Sequence, residues 1–228
     1  MIYAFLTLLL LGCAFLPQAW VRYVMHKHGK DEPKMPGTGA ELARHLIERL
    51  DLGEVRVEEC GPMQDHYDPA SNTARLSPNN YQGKSITAVA VAAHEVGHAI
   101  QFARSEPVSR LRGKYIPLSM RMRQIGIYML LALPVVGFIL KAPAAIFAYL
   151  AVSVLLQLGG AAMYLVVLPE EWDASFNKAL PILEQGEYLP PEQVQKARSV
   201  LKAAALTYFA AALADVVNIG RWLLLLRR

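Results

Sequence analysis

Ser85 to Gln101 reads SITAVAVAAHEVGHAIQ, and both the fold and the chemistry of the chain turn on this run. The stretch from Ser85 to Arg104 predicts one helix. No proline interrupts it, and from Ile86 to Ala93 every residue is apolar or small. A helix that is apolar on all faces belongs in a protein interior. Its second half carries His94-Glu95-Val96-Gly97-His98. On a helix, residues i and i+4 share a face. Both imidazoles can therefore hold one Zn²⁺, with Glu95 placed to take a proton from a water on the ion. Zinc lowers the pKa of such a water to about 7, so hydroxide becomes available near neutral pH. The competing interpretation is two satisfied core histidines beside an exposed Glu95. Small apolar neighbours give no packing reason for three titratable groups within five positions, and burying them unpaired is costly.

Upstream of this helix the chain predicts a small mixed domain. Pro33, Pro36, Gly37 and Gly39 form a linker. Thr38 or Gly39 can cap a helix whose apolar stripe is Leu42, Leu46, Ile47 and Leu50. Val55-Arg56-Val57-Glu58 alternates like a strand. Asp65 to Asp68 and Ala74 to Ser77 predict a hairpin around Ser71-Asn72, with an edge to which an extended peptide can add. His66 then lies on a strand, where its ring can donate to a developing oxyanion.

Downstream, apolar blocks dominate. Ile125 to Leu140 and Ala144 to Leu168 flank Lys141-Ala142-Pro143 and predict a transmembrane hairpin, although the first arm is short for a span of about 20 residues. Ile2 to Trp20 predicts a retained transmembrane helix, since a cleaved signal would want basic residues before the apolar core. Residues 203–226 are apolar but carry Asp215, Asn218 and Arg221, and predict a fourth span rather than an interfacial helix. Arg22, Lys27, Lys30 and Lys34 follow the first block, and six Lys/Arg from Arg104 to Arg123 precede the hairpin. The positive-inside rule then puts residues 22–123 in the cytoplasm. Arg227-Arg228 would lie outside, against that rule.

This topology returns Leu168-Pro169-Glu170-Glu171-Trp172-Asp173-Ala174-Ser175 to the side that holds His94 and His98. A catalytic zinc needs a third protein ligand and an open position. Glu170, Glu171 or Asp173 can supply it, and spacing does not choose among them. Otherwise the acids would be the negative first turn of a helix.

Composition agrees with a membrane chain. Of 228 residues, 54% are hydrophobic and 18% charged, against about 45–50% and about 25% in soluble domains. Disorder and collagen-like repeats are excluded. The net charge of +4 forms no basic stripe with interleaved aromatics, so no nucleic-acid partner is expected. Two cysteines, Cys13 in an apolar block and Cys60 in the polar part, are too few for a disulfide framework and fit a reducing compartment.

In these motifs the chain resembles the YugP-type neutral zinc metallopeptidases of bacterial membranes. The resemblance rests on His66-Tyr67-Asp68-Pro69, Arg75-Leu76-Ser77-Pro78, the run from Ser85 to Gln101 and Leu168 to Ser175, and it extends to the order of the apolar blocks. The plan is also similar to that of the HtpX-type membrane metallopeptidases. It implies His94 and His98 as zinc ligands, Glu95 as general base, Glu171 as third ligand and Asp173 as its outer neighbour. In the HtpX plan the Glu and Asp are four apart, whereas Glu171 and Asp173 are two apart, so Asp173 either orients a histidine or caps a helix.

The expected fold is mainly α. About four transmembrane helices accompany a small α+β zincin-like catalytic domain. Its divisions are a span over 1–21, a cytoplasmic catalytic domain over 22–123, a transmembrane hairpin over 124–168, a ligand-bearing cytoplasmic segment over 169–202 and a C-terminal apolar helix over 203–228. The expected function is a gluzincin-like zinc metalloendopeptidase in the bacterial inner membrane, multi-pass, with its site facing the cytoplasm. It would act on protein or peptide substrates and sit with membrane-protein partners or a second copy of itself. A zinc-stabilised membrane adaptor that presents proteins to another protease is the alternative, and it would have no use for Glu95.

Overall fold

In the computed structural model the run after Ser85 is a helix, α4 (Ile86–Ala103), which is buried at every residue from Ile86 to Gln101. Ser85 caps it: its hydroxyl accepts from the Ala88 N–H at 3.0 Å. The structure describes residues 2–226, with side chains described at Gly12 and from Phe15 to Val216. Arg227, Arg228 and the side chains of Cys13, Asn218 and Arg221 therefore lie outside the described set. Cys60 is a free thiol.

The chain is mainly helical with one three-stranded sheet, and it divides into two compact units. The first comprises residues 19–110 and 169–207. Here α4 packs against α2 (Gly39–Arg49), the short helices α3 (Pro78–Tyr81) and α7 (Leu180–Gln185), α8 (Pro191–Ala205) and a π-helical segment, Asp173–Ala179. Thr38 and Glu41 close a capping box at the start of α2, with Thr38 N–H donating to Glu41 Oε2 at 2.7 Å and Glu41 N–H to Thr38 Oγ1 at 3.2 Å. Its stripe then buries Ala43, Leu46 and Ile47, each large aliphatic contributing about 1.5–3 kcal/mol of transfer free energy. Gly39 permits the approach of α2 to its neighbours. A Cβ there would stand 2.2 Å from the Asn80 carbonyl oxygen.

The sheet comprises β1 (Arg56–Glu59), β2 (His66–Asp68) and β3 (Thr73–Leu76) in the order β1-β3-β2. β2 and β3 form an antiparallel hairpin, with His66 opposite Arg75, and Asn72 takes the left-handed conformation at its turn (φ 49°). β1 pairs parallel with β3, a pairing that no local pattern of residues predicts. β2 is thus an edge strand. The hairpin end is fixed by charge: Asp68 accepts from Ser71 Oγ at 2.7 Å, Arg75 Nη1 at 2.8 Å and the Ala70 N–H at 3.0 Å.

The second unit comprises residues 1–18, 111–168 and 208–228. It holds α5 (Leu111–Leu140), the part of α6 (Pro143–Trp172) up to Leu168 and most of α9 (Thr207–Leu226). The charged stretch before Ile125 is helical and continuous with the apolar one. The first arm is therefore long enough to span, and Pro117 and Pro134 both lie within it. Small residues let α5 and α6 touch. Ser119 Oγ donates to the Gly160 carbonyl and Ser153 Oγ to the Gly126 carbonyl, each at 2.7 Å. A Cβ on Gly126 would stand 2.8 Å from the Ser153 carbonyl oxygen.

Among the described residues, two helices are long and apolar enough to cross a membrane, Pro107–Leu140 and Pro143–Gln185. A third is reached only if α8 and Thr207–Val216, bent by 41°, are one broken span. Against the expected four spans, two or three are thus found among the described residues, where the last apolar helix is described in full only as far as Val216. The helix α1 (Ile2–Lys27) carries the first apolar block, whose side chains are undescribed up to Leu11. Asp215 is ion-paired: Arg123 Nη2 lies 2.6 Å from its Oδ1, and Arg123 Nη1 donates to the Tyr164 hydroxyl at 2.8 Å. A charge among apolar helices needs such a partner.

Two outcomes follow from these contacts. Replacing Asp215 by Leu leaves the partly buried Arg123 without its carboxylate and lowers stability by about 1–3 kcal/mol, the cost of leaving a desolvated partner unmatched. Adding Arg123→Met recovers most of that loss, as read by thermal unfolding in detergent. In the hairpin, the Ser71 hydroxyl and then the Arg75 guanidinium hold the Asp68 carboxyl down at about 2. Its folded pKa lies below the unfolded value of about 3.9. The stabilisation is therefore complete above pH 5 and fades as pH falls from about 4 to 2. Asp68→Asn speeds amide exchange at Ala74 and Arg75 at pH 7, and the difference from wild type shrinks on acidification.

Candidate metal centre

His94 and His98 project from one face of α4, their rings 4.7 Å apart at 80°. Glu171 comes from the far end of α6, 73 residues further on than His98. Its Oε2 lies 3.3 Å from His94 Nε2 and 3.4 Å from His98 Nε2. One ligand atom from each of the three lies within 4.8 Å of the others, and all three residues are buried. Atoms about 2.0–2.1 Å from a shared tetrahedral centre stand about 3.3–3.4 Å apart. The two distances from Glu171 Oε2 match that separation, and two imidazole nitrogens with a carboxylate are a zinc donor set, so these residues fit the ion.

The proton positions agree. Ser175 Oγ lies 3.1 Å from the Leu201 carbonyl and donates to it, so it accepts from His94 Nδ1–H at 3.0 Å. Nδ1 then carries the hydrogen and Nε2 the lone pair. His98 Nδ1 faces Gln101 Oε1 at 2.9 Å. Such outer partners fix ring orientation and tautomer at metal sites.

The acids separate by position on the helix. Glu171 points between the two Nε2 atoms. Glu170 Oε1 lies on the other side of His98, 3.9 Å from its Nδ1. Asp173 touches neither histidine and accepts instead from Gln101 Nε2 at 2.8 Å, from Asn177 Nδ2 at 2.8 Å and from Lys178. All three sit midway along a helical run from Pro143 to Gln185. The first-turn interpretation of these acids is therefore incorrect, since no helix N-terminus is there to favour negative charge.

The π segment begins at Asp173 and carries Ser175 and Lys178. Its wider turn lets Asp173 reach both Asn177 and Lys178, four and five residues on. Gly97 admits this segment: a Cβ on it would stand 2.6 Å from the Ala174 carbonyl oxygen.

Glu95 is buried on α4 between the histidines. His66 is on β2, and its Nδ1–H donates to the Gln64 carbonyl at 2.6 Å. Only its Nε2 remains for another partner. The sequence motifs do not single out Gln101 or Ser175, although Gln101 is three residues after His98 and Ser175 four after Glu171, spacings that share a helix face.

The model of a family described as "Putative neutral zinc metallopeptidase" matches residues 3–227. A curated relative, "Putative membrane protease YugP" of Bacillus subtilis (strain 168), is 33% identical over 226 residues, covering 99% of this chain and 96% of the relative. No solved structure matches significantly.

Gly97→Ala tests the close approach. The added methyl must displace the Ala174 backbone, at about 1–3 kcal/mol for overpacking. It moves Glu171 away from the histidines. Zinc affinity is expected to fall together with thermal stability, measured by chelator competition and by unfolding.

Proposed function

The chain belongs to the neutral zinc metallopeptidase family, and from that premise we propose that it is a gluzincin-like, membrane-embedded zinc endopeptidase. The observation that carries this is the placement of Glu171 Oε2 at 3.3 and 3.4 Å from the two Nε2 atoms. His94, His98 and Glu171 would hold the ion. When bound, zinc supplies Lewis acidity to a scissile carbonyl and makes water acidic near neutral pH.

The chain's own residues do the rest. The Glu95 carboxylate takes a proton from the attacking water and delivers it to the leaving amine. Ser175 keeps the His94 Nε2 lone pair available. An extended peptide adds alongside β2, whose backbone groups fix its register. His66 donates from Nε2 to the developing oxyanion. Its Nδ1–H is already given to Gln64, so this donation requires the imidazolium form.

Membrane association is supported by the relative's name and by two long apolar helices. Counting α1 and α9 as spans as well gives about four. The Lys/Arg that follow the first apolar block and precede α5's apolar half favour a cytoplasmic active site in a bacterial inner membrane.

Glu95→Gln is the test. The variant is expected to keep zinc at wild-type stoichiometry and to lose hydrolysis of a peptide library by about 10²–10⁴-fold, the usual contribution of a general base. Unchanged hydrolysis in the purified variant would remove Glu95 from the mechanism. A wild-type chain that binds zinc yet cleaves nothing would point to the zinc-stabilised adaptor.

A further inference from the structure

We propose that Gln101 is a positioning residue for the metal centre, setting the tautomer of His98 and coupling it to Asp173. This rests on the assignment of His98 as a zinc ligand.

Gln101 has no solvent exposure, so each of its hydrogens goes to a protein partner. A Gln amide has two N–H donors and one carbonyl acceptor. Gln101 Nε2 lies 2.9 Å from the Glu170 backbone carbonyl and 2.8 Å from Asp173 Oδ2. Both partners can only accept, so both N–H groups are committed and the amide cannot flip. Its Oε1 must then face His98 Nδ1, at 2.9 Å. A carbonyl oxygen only accepts, so Nδ1 carries the hydrogen and the Nε2 lone pair points toward Glu171.

Asp173 is held in turn. Asn177 Nδ2 donates to its Oδ1, and Lys178, 9% exposed, donates to its Oδ2. Lys178 Nζ also pairs with Glu106 Oε2 at 2.8 Å. A row of contacts therefore runs from Glu106 through Lys178, Asp173 and Gln101 to His98. A neutral amide stands between the carboxylate and the ring. Asp173 thus acts on the ligand through Gln101, which explains how an acid two residues from Glu171 serves the site without touching a histidine.

The test uses the purified full chain in detergent, with two readouts. Zinc affinity is measured by competition with a chromogenic chelator, and the tautomer of His98 from ¹⁵N shifts of histidine-labelled, metal-free protein. Gln101→Leu is expected to bind zinc 10–100-fold more weakly, the usual effect of removing a ligand's orienting partner. His98 is expected to move from one tautomer to a mixture. Gln101→Glu alone sets two carboxylates against each other and is expected to weaken zinc comparably. Gln101→Met keeps the volume of the side chain but neither its donors nor its acceptor, and is expected to weaken zinc as Gln101→Leu does. A space-filling role would give no tautomer change and, in Gln101→Met, wild-type affinity.

Wild-type affinity and an unchanged tautomer in Gln101→Leu would overturn the proposal. Should Gln101→Leu fail to fold, wild-type affinity and an unchanged tautomer in Gln101→Met would overturn it too. Failure of the zinc reading itself looks different: His98→Ala would then bind zinc as well as wild type does.

Discussion

The structure of the larger unit depends on one constraint: two imidazoles and a carboxylate must meet inside a protein core. His94, His98 and Glu171 are all nearly excluded from solvent. Polar and charged groups in that setting are costly unless paired, hydrogen-bonded or bound to metal. The surroundings answer that cost. Each histidine has its Nδ1–H taken by a dedicated acceptor, Ser175 Oγ for one and Gln101 Oε1 for the other. Both Nε2 atoms are thereby turned toward the same carboxylate oxygen.

That requirement explains features that are odd in isolation. A buried helix normally gains from large side chains, yet α4 is made of Ala, Val, Thr and Gly along much of its length. Small residues let α2, α8 and the π segment approach it closely, and Gly97 marks the tightest approach. The π turn departs from ideal helical geometry at the point where Asp173, Ser175 and Lys178 must face different partners. Wider turns of this kind often occur at functional sites because they re-aim side chains within an otherwise regular helix.

The second unit solves a related problem with different means. Its helices associate through serine hydroxyls donated to glycine carbonyls and through the Arg123–Asp215 pair. Apolar burial contributes little to helix pairing in lipid, so close packing and polar contacts between helices take that role. The charge on the last apolar stretch, which looks out of place in the sequence, is matched by a partner 92 residues earlier.

Much of this was legible in the amino-acid order, because it is local. The run from Ser85 to Arg104 announces a buried helix by its composition, and the His-Glu-x-x-His spacing places two imidazoles on one face by helical geometry alone. The hairpin around Ser71-Asn72 and the helix after Thr38 follow from turn and capping chemistry. The tertiary structure decided what helical geometry leaves open. Glu170, Glu171 and Asp173 lie within three residues of one another and point in different directions, so only the packing of the π segment on α4 turns Glu171 toward the histidines. The same packing gave Gln101 and Ser175 their partners and paired β1 with β3. Such contacts join residues about 20 to 80 positions apart, and no local periodicity records them.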